Sequence, residues 1–498
     1  MKTETAKTLS LLALVALWGL NSQLSVARAQ TKKVYTFGMS GSGFNPVAGA
    51  MTNSDGIHAQ AGLAVAGDRL YGVTSGGGNG GAGTVFAVNA DGSGFTNLYE
   101  FSPLAMGFDT NGDGAWPKAR LALSGDTLYG AASAGGTGAM MGGGTLFKLG
   151  TNGALFTKLL DCSPTNGTAV NGLTVCGETL YGTAQYGGTN GNGSVFTLKI
   201  DGSSFGVLHA FSSGAWTNVD GMYPAAALLG QSNVLYGSTS QGGQFGGGTL
   251  FALNTNGSGF TVLHHFTNSD GLGPCGDLAL SGGVLYGTAR GGGGGNNGTV
   301  FRLNADGSDF GVLYSFGPTA YDPSSNSYTN SDGAQPYGGV LLAGGMLYGT
   351  TECGGAGGSG TVFALSTNGA DFTTLYNFTA LDPATSTNLD GANPYGGLAL
   401  SSNYLYGTAC NGGLAGDGAL FGLSLPTAPA PVSLSIERVG SAVLLSWPSS
   451  ATGWTLEQCS GLGAGDWSPC DYTVSNDGTN QSVSIPPAAA SLFFRLAR

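Results

Sequence analysis

Charged side chains are scarce in this chain. They make up 9% of its 498 residues, and 16 Lys and Arg face 28 Asp and Glu. No basic cluster occurs, and a net charge of −12 repels a phosphate backbone, which argues against nucleic-acid binding. Long apolar runs are also missing. Leu9 to Leu20 spans about 12 residues, short of the roughly 20 that cross a bilayer. With Lys2 and Lys7 before it and Ala27-Arg28-Ala29 after it, the run reads as the core of a signal peptide over residues 1–29. The mature protein is then expected to be secreted or held at the cell surface, with no transmembrane segment. Only four histidines are present, and no Ser/His/Asp spacing or carboxylate pair stands out. The glycine runs, such as Gly291 to Gly295, lack the Gly-Lys-Ser/Thr of a phosphate loop.

Glycine is abundant, at 93 residues, yet 41% of the chain is apolar and 10% aromatic. That is enough to bury a core, so the glycines mark turns. The tripeptide Leu-Tyr-Gly occurs seven times, with Tyr71, Tyr129, Tyr181, Tyr236, Tyr286, Tyr348 and Tyr406 at its centre. Each copy is followed by Gly-(Thr/Ser/Ala)-(Val/Leu)-Phe, ending at Phe86, Phe147, Phe196, Phe251, Phe301, Phe363 and Phe421. Four short runs of alternating apolar residues make up a repeat: in the first they lie near Leu63, Tyr71, Phe86 and Tyr99. Such runs between Gly-rich turns predict strands, and four strands repeated radially predict a propeller blade rather than a solenoid.

The fourth run ends at Phe101, Asp161, Phe211, Phe266, Phe316 and Phe378, and is degenerate at Asp161. The seventh repeat lacks one, and Val34-Tyr35-Thr36-Phe37 supplies a match at the N-terminus. The fold expected is therefore all-β, a seven-bladed β-propeller over residues 30–425 closed by an N-terminal strand, which leaves no sheet edge open at the seam. A Pro-rich linker at 426–431 and a small β-sandwich at 432–498 follow. Trp447 at the end of an early strand makes that sandwich immunoglobulin- or fibronectin-like.

Leu-Tyr-Gly-Thr, a later Gly-Gly pair, Gly-Thr-Val-Phe and an Asp-Gly turn, as in Tyr286 to Phe301, resemble the bacterial GloVer repeat of "choice-of-anchor" surface proteins. The resemblance covers about residues 33–425. It implies architecture and an extracellular location, and carries no activity.

Six connectors between repeats contain Asn-x-Asp-Gly. Asp109, Asn111 and Asp113 have the spacing of a Ca²⁺ loop, although Arg120 stands where its bidentate Glu belongs; the other reading is an Asx-turn. The connectors also carry Trp116, Trp216, Tyr223, Tyr337 and Tyr395. These rings either stack on sugars or form an apolar lid. His209 and His264 take the slot of Tyr99, Tyr314 and Tyr376, as strand residues. Seven cysteines leave at least one unpaired; Cys353 with Cys410 and Cys459 with Cys470 are candidate disulfides. No polar departure singles out one repeat as catalytic. The expectation is a non-catalytic recognition protein that binds polysaccharide or a cell-surface partner through one face. A carbohydrate-active enzyme with a site in the central channel and a structural surface-layer protein are the alternatives.

Overall fold

The computed structural model describes residues 31–498 apart from 39–42, 46–49, 106–109, 138–142, 215, 426–433, 450–453, 460–466, 487–491 and 498. The signal peptide and the linker lie outside the described residues. Every regular element described is a β-strand, and named strands pair antiparallel. The chain divides into two compact units, one spanning Arg28–Leu425 and the other containing Pro426–Arg498.

In the larger unit the repeat signature has one steric cause. The Leu-Tyr-Gly strand pairs with the Gly-Thr-Val-Phe strand so that Gly faces Phe, as in Gly72 opposite Phe86 and Gly237 opposite Phe251. The phenyl ring lies on the glycine. A Cβ on Gly237 would come within 2.5 Å of the Phe251 ring, and one on Gly130 within 2.3 Å of Phe147. Only glycine leaves that space. Each of the seven Phe residues is then buried, worth about 1.5–3 kcal/mol apiece.

An inner and an outer strand complete the sheet. The first sheet runs Ala64–Ala66, Arg69–Thr74, Thr84–Asn89, Thr96–Glu100 from inside out. Seven sheets of this order are present among the described residues. In the seventh the outer place is filled from the N-terminus, where Thr31–Thr36 pairs with Ala419–Ser424. The outer strand of the second sheet, Thr157–Asp161, corrects one detail of the sequence reading. Its register puts Asp161 opposite Thr145 as Glu100 is opposite Thr84, so the Phe101 slot falls to Cys162.

Each sheet packs on the next through that slot. Phe101 meets Phe147 edge-on at 5.3 Å, and Phe211 meets Phe251 at 5.5 Å. Phe378 joins the sixth sheet to the seventh at 5.1 Å from Phe421, and Phe37 joins the seventh to the first at 5.4 Å from Phe86. One residue pair further out, rings stack flat: Tyr99 on Phe156, His209 on Phe260 and His264 on Phe310, each at 3.7 Å. Tyr35 on Phe95, at 4.0 Å, repeats the stack at the seam. His209 and His264 are thus strand residues standing in for tyrosine, as their place in the repeat implies.

The smaller unit holds two antiparallel sheets. One is built on Ala442–Pro448 and Asn480–Ile485, the other on Thr455–Cys459 and Phe493–Ala497. Trp447, Leu445, Leu456, Val483 and Ile485 form its core.

Gly237→Ala should destabilise the protein by about 1–3 kcal/mol, because the new methyl must displace Phe251. Gly206→Ala, whose Cβ would meet its nearest neighbour at an ordinary 3.5 Å, should leave the unfolding transition in place. Thermal denaturation of the two variants checks the difference.

Candidate functional site

The connector from each outer strand enters the next inner strand through one residue in the left-handed region. These are His58, Trp116, Ala169, Tyr223, Gly273, Gln335 and Asn393, with φ from 52° to 64°. That conformation costs a non-glycine residue about 1–2 kcal/mol. It turns the N–H towards the preceding sheet, where it donates to a carbonyl in the loop between the second and third strands. Trp116 donates to Ala82 (2.8 Å), Tyr223 to Asn192 (2.9 Å) and Asn393 to Ser359 (2.9 Å). His58 donates to Asp417 (3.0 Å), which ties the seventh sheet to the first by the same bond. Connectors and these loops therefore share one end of the ring, called the mouth below.

The Asn-x-Asp-Gly segments tie the same end together. Asn111 Oδ1 accepts from Gly114 N (2.8 Å) and from Gly136 N (3.2 Å) in the loop beyond. Asn218 and Asn388 do the same with their own glycine pairs. The aspartate turns back to the outer strand. Asp113 Oδ2 accepts from Tyr99 Oη (2.8 Å) and Ser102 N (2.9 Å), and Asp332 Oδ2 from Tyr314 Oη (2.9 Å). His209 Nε2 lies 2.9 Å from Asp220 Oδ2, and His264 Nε2 3.0 Å from Asp270 Oδ2. Asn111 and Asp113 have the contacts of their counterparts in loops without the Ca²⁺ spacing, so the Asx-turn accounts for them. Asp109 lies outside the described residues, and the described residues hold no cluster of metal-ligating side chains.

Along the inner strand exposure alternates, as a strand with one face on the axis requires. Trp116, Lys118 and Arg120 are exposed, while Pro117, Ala119 and Leu121 are buried. Two positions in each repeat reach the mouth. One holds Gln60, Lys118, Asn171, Ala225, Cys275, Tyr337 and Tyr395. The other, the fourth residue after the Leu-Tyr-Gly tyrosine, holds Ser75, Ser133, Gln185, Ser240, Arg290, Glu352 and Cys410. The residues just before these positions are small or Pro in nearly every repeat. At the two positions themselves the repeats diverge into cations, a carboxylate, amides, phenols and thiols.

These side chains meet one another. Tyr395 Oη donates to Glu352 Oε1 at 2.6 Å, and Tyr337 packs edge-on against Tyr395 at 5.3 Å. Burial, and then the Glu352 carboxylate, raise the Tyr395 phenol's pKa, so it stays a donor. Asn171 Nδ2 reaches Gln185 Oε1 at 3.4 Å. His58 Nδ1 lies 3.2 Å from the Cys410 carbonyl oxygen and 3.9 Å from its Sγ. Burial pushes the Cys410 thiol up to about 11, and burial with the Glu352 charge pushes Cys353 up to about 12. Both cysteines are thiols, not the disulfide expected, because they are not equivalent: Cys410 aligns with Glu352, one residue before Cys353. Cys470 is a thiol as well.

Below the mouth the inner strands of neighbouring sheets run close together. Gly62, Gly339 and Gly397 bring backbone against backbone, where a Cβ on Gly339 would lie 2.1 Å from the Asp277 carbonyl oxygen. Arg120 of the second sheet and Asp277 of the fifth meet across the ring, Nη2 to Oδ2 at 3.2 Å. Asp277 Oδ1 also accepts from Ala227 N at 3.0 Å.

The five aromatics singled out in the sequence fall into three structural classes. Trp116 and Tyr223 are the left-handed residues, with Trp116 41% exposed and Tyr223 packed on Tyr186 at 5.3 Å. Tyr337 and Tyr395 line the mouth and are half-buried. Trp216 lies on a connector and is 75% exposed. Lys118, Arg290 and Glu352 were not singled out in the sequence, although each is a polar departure from the other repeats at its position. Aligning the repeats on Leu-Tyr-Gly and reading the fourth residue after Tyr finds Arg290 and Glu352.

A family model described as the Gloeobacter/Verrucomicrobia repeat matches residues 17–219, 172–327 and 319–442. No curated protein matches the chain. Among solved structures, an oligogalacturonate lyase in complex with manganese is similar at 10% identity over 80% of this chain and 98% of its own, with a TM-score of 0.46. A GH74 enzyme from Niastella koreensis is 16% identical over 79% of this chain and 58% of its own, with a TM-score of 0.47. A chain of the nidogen/laminin complex is 16% identical over 52% and 80%, with a TM-score of 0.35.

With their thiols held neutral, Cys353 and Cys410 should resist iodoacetamide at pH 8 in the folded protein, while the exposed Cys176 is alkylated. Peptide mass mapping reads this out. Cys410 labelled as fast as Cys176 would instead mark an activated thiol.

Proposed function

The chain belongs to the Gloeobacter/Verrucomicrobia repeat family, and we propose that its repeats are the blades of a seven-bladed β-propeller, exported by its N-terminal signal, that binds polysaccharide at its mouth. The observation that carries this reading is the divergence of the repeats at the two mouth positions, against a scaffold kept alike in every repeat. A structural repeat needs no such variety, whereas a recognition surface does. Phenol rings beside amides and charged groups suit sugars, which offer an apolar face to an aromatic ring and hydroxyls to polar side chains. Trp216 adds a ring free to stack.

Binding fits this surface better than hydrolysis. Glu352 is the one carboxylate among the mouth positions, whereas most glycosidases use two. Its Oε1 already accepts from Tyr395. The thiols are held neutral by burial, contrary to the need of a nucleophile. In this reading the C-terminal unit is an immunoglobulin- or fibronectin-like sandwich, a spacer or attachment module. Its two sheets around Trp447 support that.

The test is retention of the mature protein on a panel of immobilised polysaccharides, with affinity near millimolar for a single shallow site. Trp216→Ala should keep the wild-type melting temperature, because the ring is 75% exposed, and should lower retention. Tyr395→Ala should lower it further. A wild-type protein retained by no polysaccharide ends the proposal.

A further inference from the structure

The cations of the ring unit whose side chains are described separate into two groups. Arg69, Arg120, Lys148, Lys158, Lys199 and Arg302 are each engaged by a side-chain or backbone oxygen. Lys118 and Arg290 are exposed and make no ion pair or side-chain hydrogen bond among the described residues. Both stand at the mouth. In a chain of net charge −12, the two free cations share one face with the aromatic and amide side chains described above.

Arg290 has a cavity in front of it. A cleft of about 330 Å³ opens between the fourth and fifth sheets, with Ser240, Gln241, Leu272, Arg290 and Asn296 in its walls. It opens there because the left-handed residue of the fifth sheet is Gly273. The second and fourth sheets carry Trp116 and Tyr223 at that place. The Arg290 side chain lies over Gly273, its Nε 3.3 Å from where a Cβ would stand. A guanidinium presents a planar fork of N–H donors that matches a carboxylate. Ser240, Gln241 and Asn296 supply hydroxyl and amide partners for a sugar ring beside it.

We propose that the polysaccharide is acidic, and that Arg290 in this cleft binds the carboxylate of a uronic acid residue, with Lys118 meeting a second carboxylate across the mouth. The inference rests on the polysaccharide-binding reading and adds the charge of the ligand. Binding moves no proton and breaks no bond. An acidic polymer approaching an acidic protein is drawn to cations that no carboxylate already holds, and these two stand at the mouth.

Alginate, a polyuronate, and propylene glycol alginate, whose carboxylates are esterified, are the probes. Titrations without divalent cations are expected to show binding of alginate, weakened by salt, and little binding of the ester. Arg290→Ala should weaken alginate binding at least roughly tenfold, the loss of a charge-assisted pair. Arg290→Lys should restore part of it. Gly273→Tyr copies the residue and backbone conformation of Tyr223, so it should fold; its ring should fill the cleft and displace the Arg290 side chain that lies over Gly273, blocking alginate while the net charge is unchanged. Circular dichroism melts confirm that each variant folds. Equal binding of alginate and its ester, or an Arg290→Ala variant that binds alginate as the wild type does, overturns the acidic-ligand inference. If neutral polysaccharides are still retained in a Tyr395-dependent way, polysaccharide recognition stands without it.

Discussion

The tip of a phenyl ring seated over a glycine is the contact from which this structure is built. It fixes the register of the two central strands of every sheet, since a slip of one residue would put a side chain under the ring. It also sets the spacing between sheets. The ring over its glycine meets the Phe of the preceding outer strand in a T-shaped pair, and a tyrosine or histidine stacks one residue pair further out. The same contact recurs from sheet to sheet, and the last sheet meets the first through Phe37 and Phe86. Replacing one outer Phe by Cys162 is tolerated because its neighbours still carry theirs.

The seams use backbone bonds where the interior uses rings. A left-handed residue turns one N–H per repeat into the neighbouring loop, and an asparagine accepts from a glycine in each of two segments. The cost is paid in conformational strain at Trp116, Tyr223 and Gln335. The return is that connectors of very different length end in the same geometry. Long insertions, such as the hairpin of Ala320–Asp322 and Ser327–Thr329, can then be carried without disturbing the sheets.

Most of the scaffold was legible in the sequence, because it is made of rules applied repeatedly. Leu-Tyr-Gly and Gly-Thr-Val-Phe mark the ring-on-glycine pair, and Tyr35 with Phe37 reads as the missing outer strand by the same pattern. His209 and His264 were recognisable as tyrosine substitutes by position alone. The mouth was hard to read for the opposite reason. Its residues are defined by breaking the pattern, so they look like noise until the repeats are aligned. Arg120 and Asp277, 157 residues apart, have no local sign of their pairing. The five aromatics looked like one class because they share connectors, but a left-handed turn, an inner strand and an open loop place them differently. An offset of one residue separated Cys353 from Cys410, and at a strand end one residue changes which way a side chain points.

The Arg120–Asp277 bridge joins the second sheet to the fifth, two sheets that share no edge, and its side chains are 46% and 38% exposed. It acts as a crosspiece: the inner ends of those sheets move apart only by parting a charge pair. Salt screens such a pair, whereas the ring-on-glycine contacts carry no charge. Raising the ionic strength therefore loosens this one tie and leaves the packing between neighbouring sheets as it was.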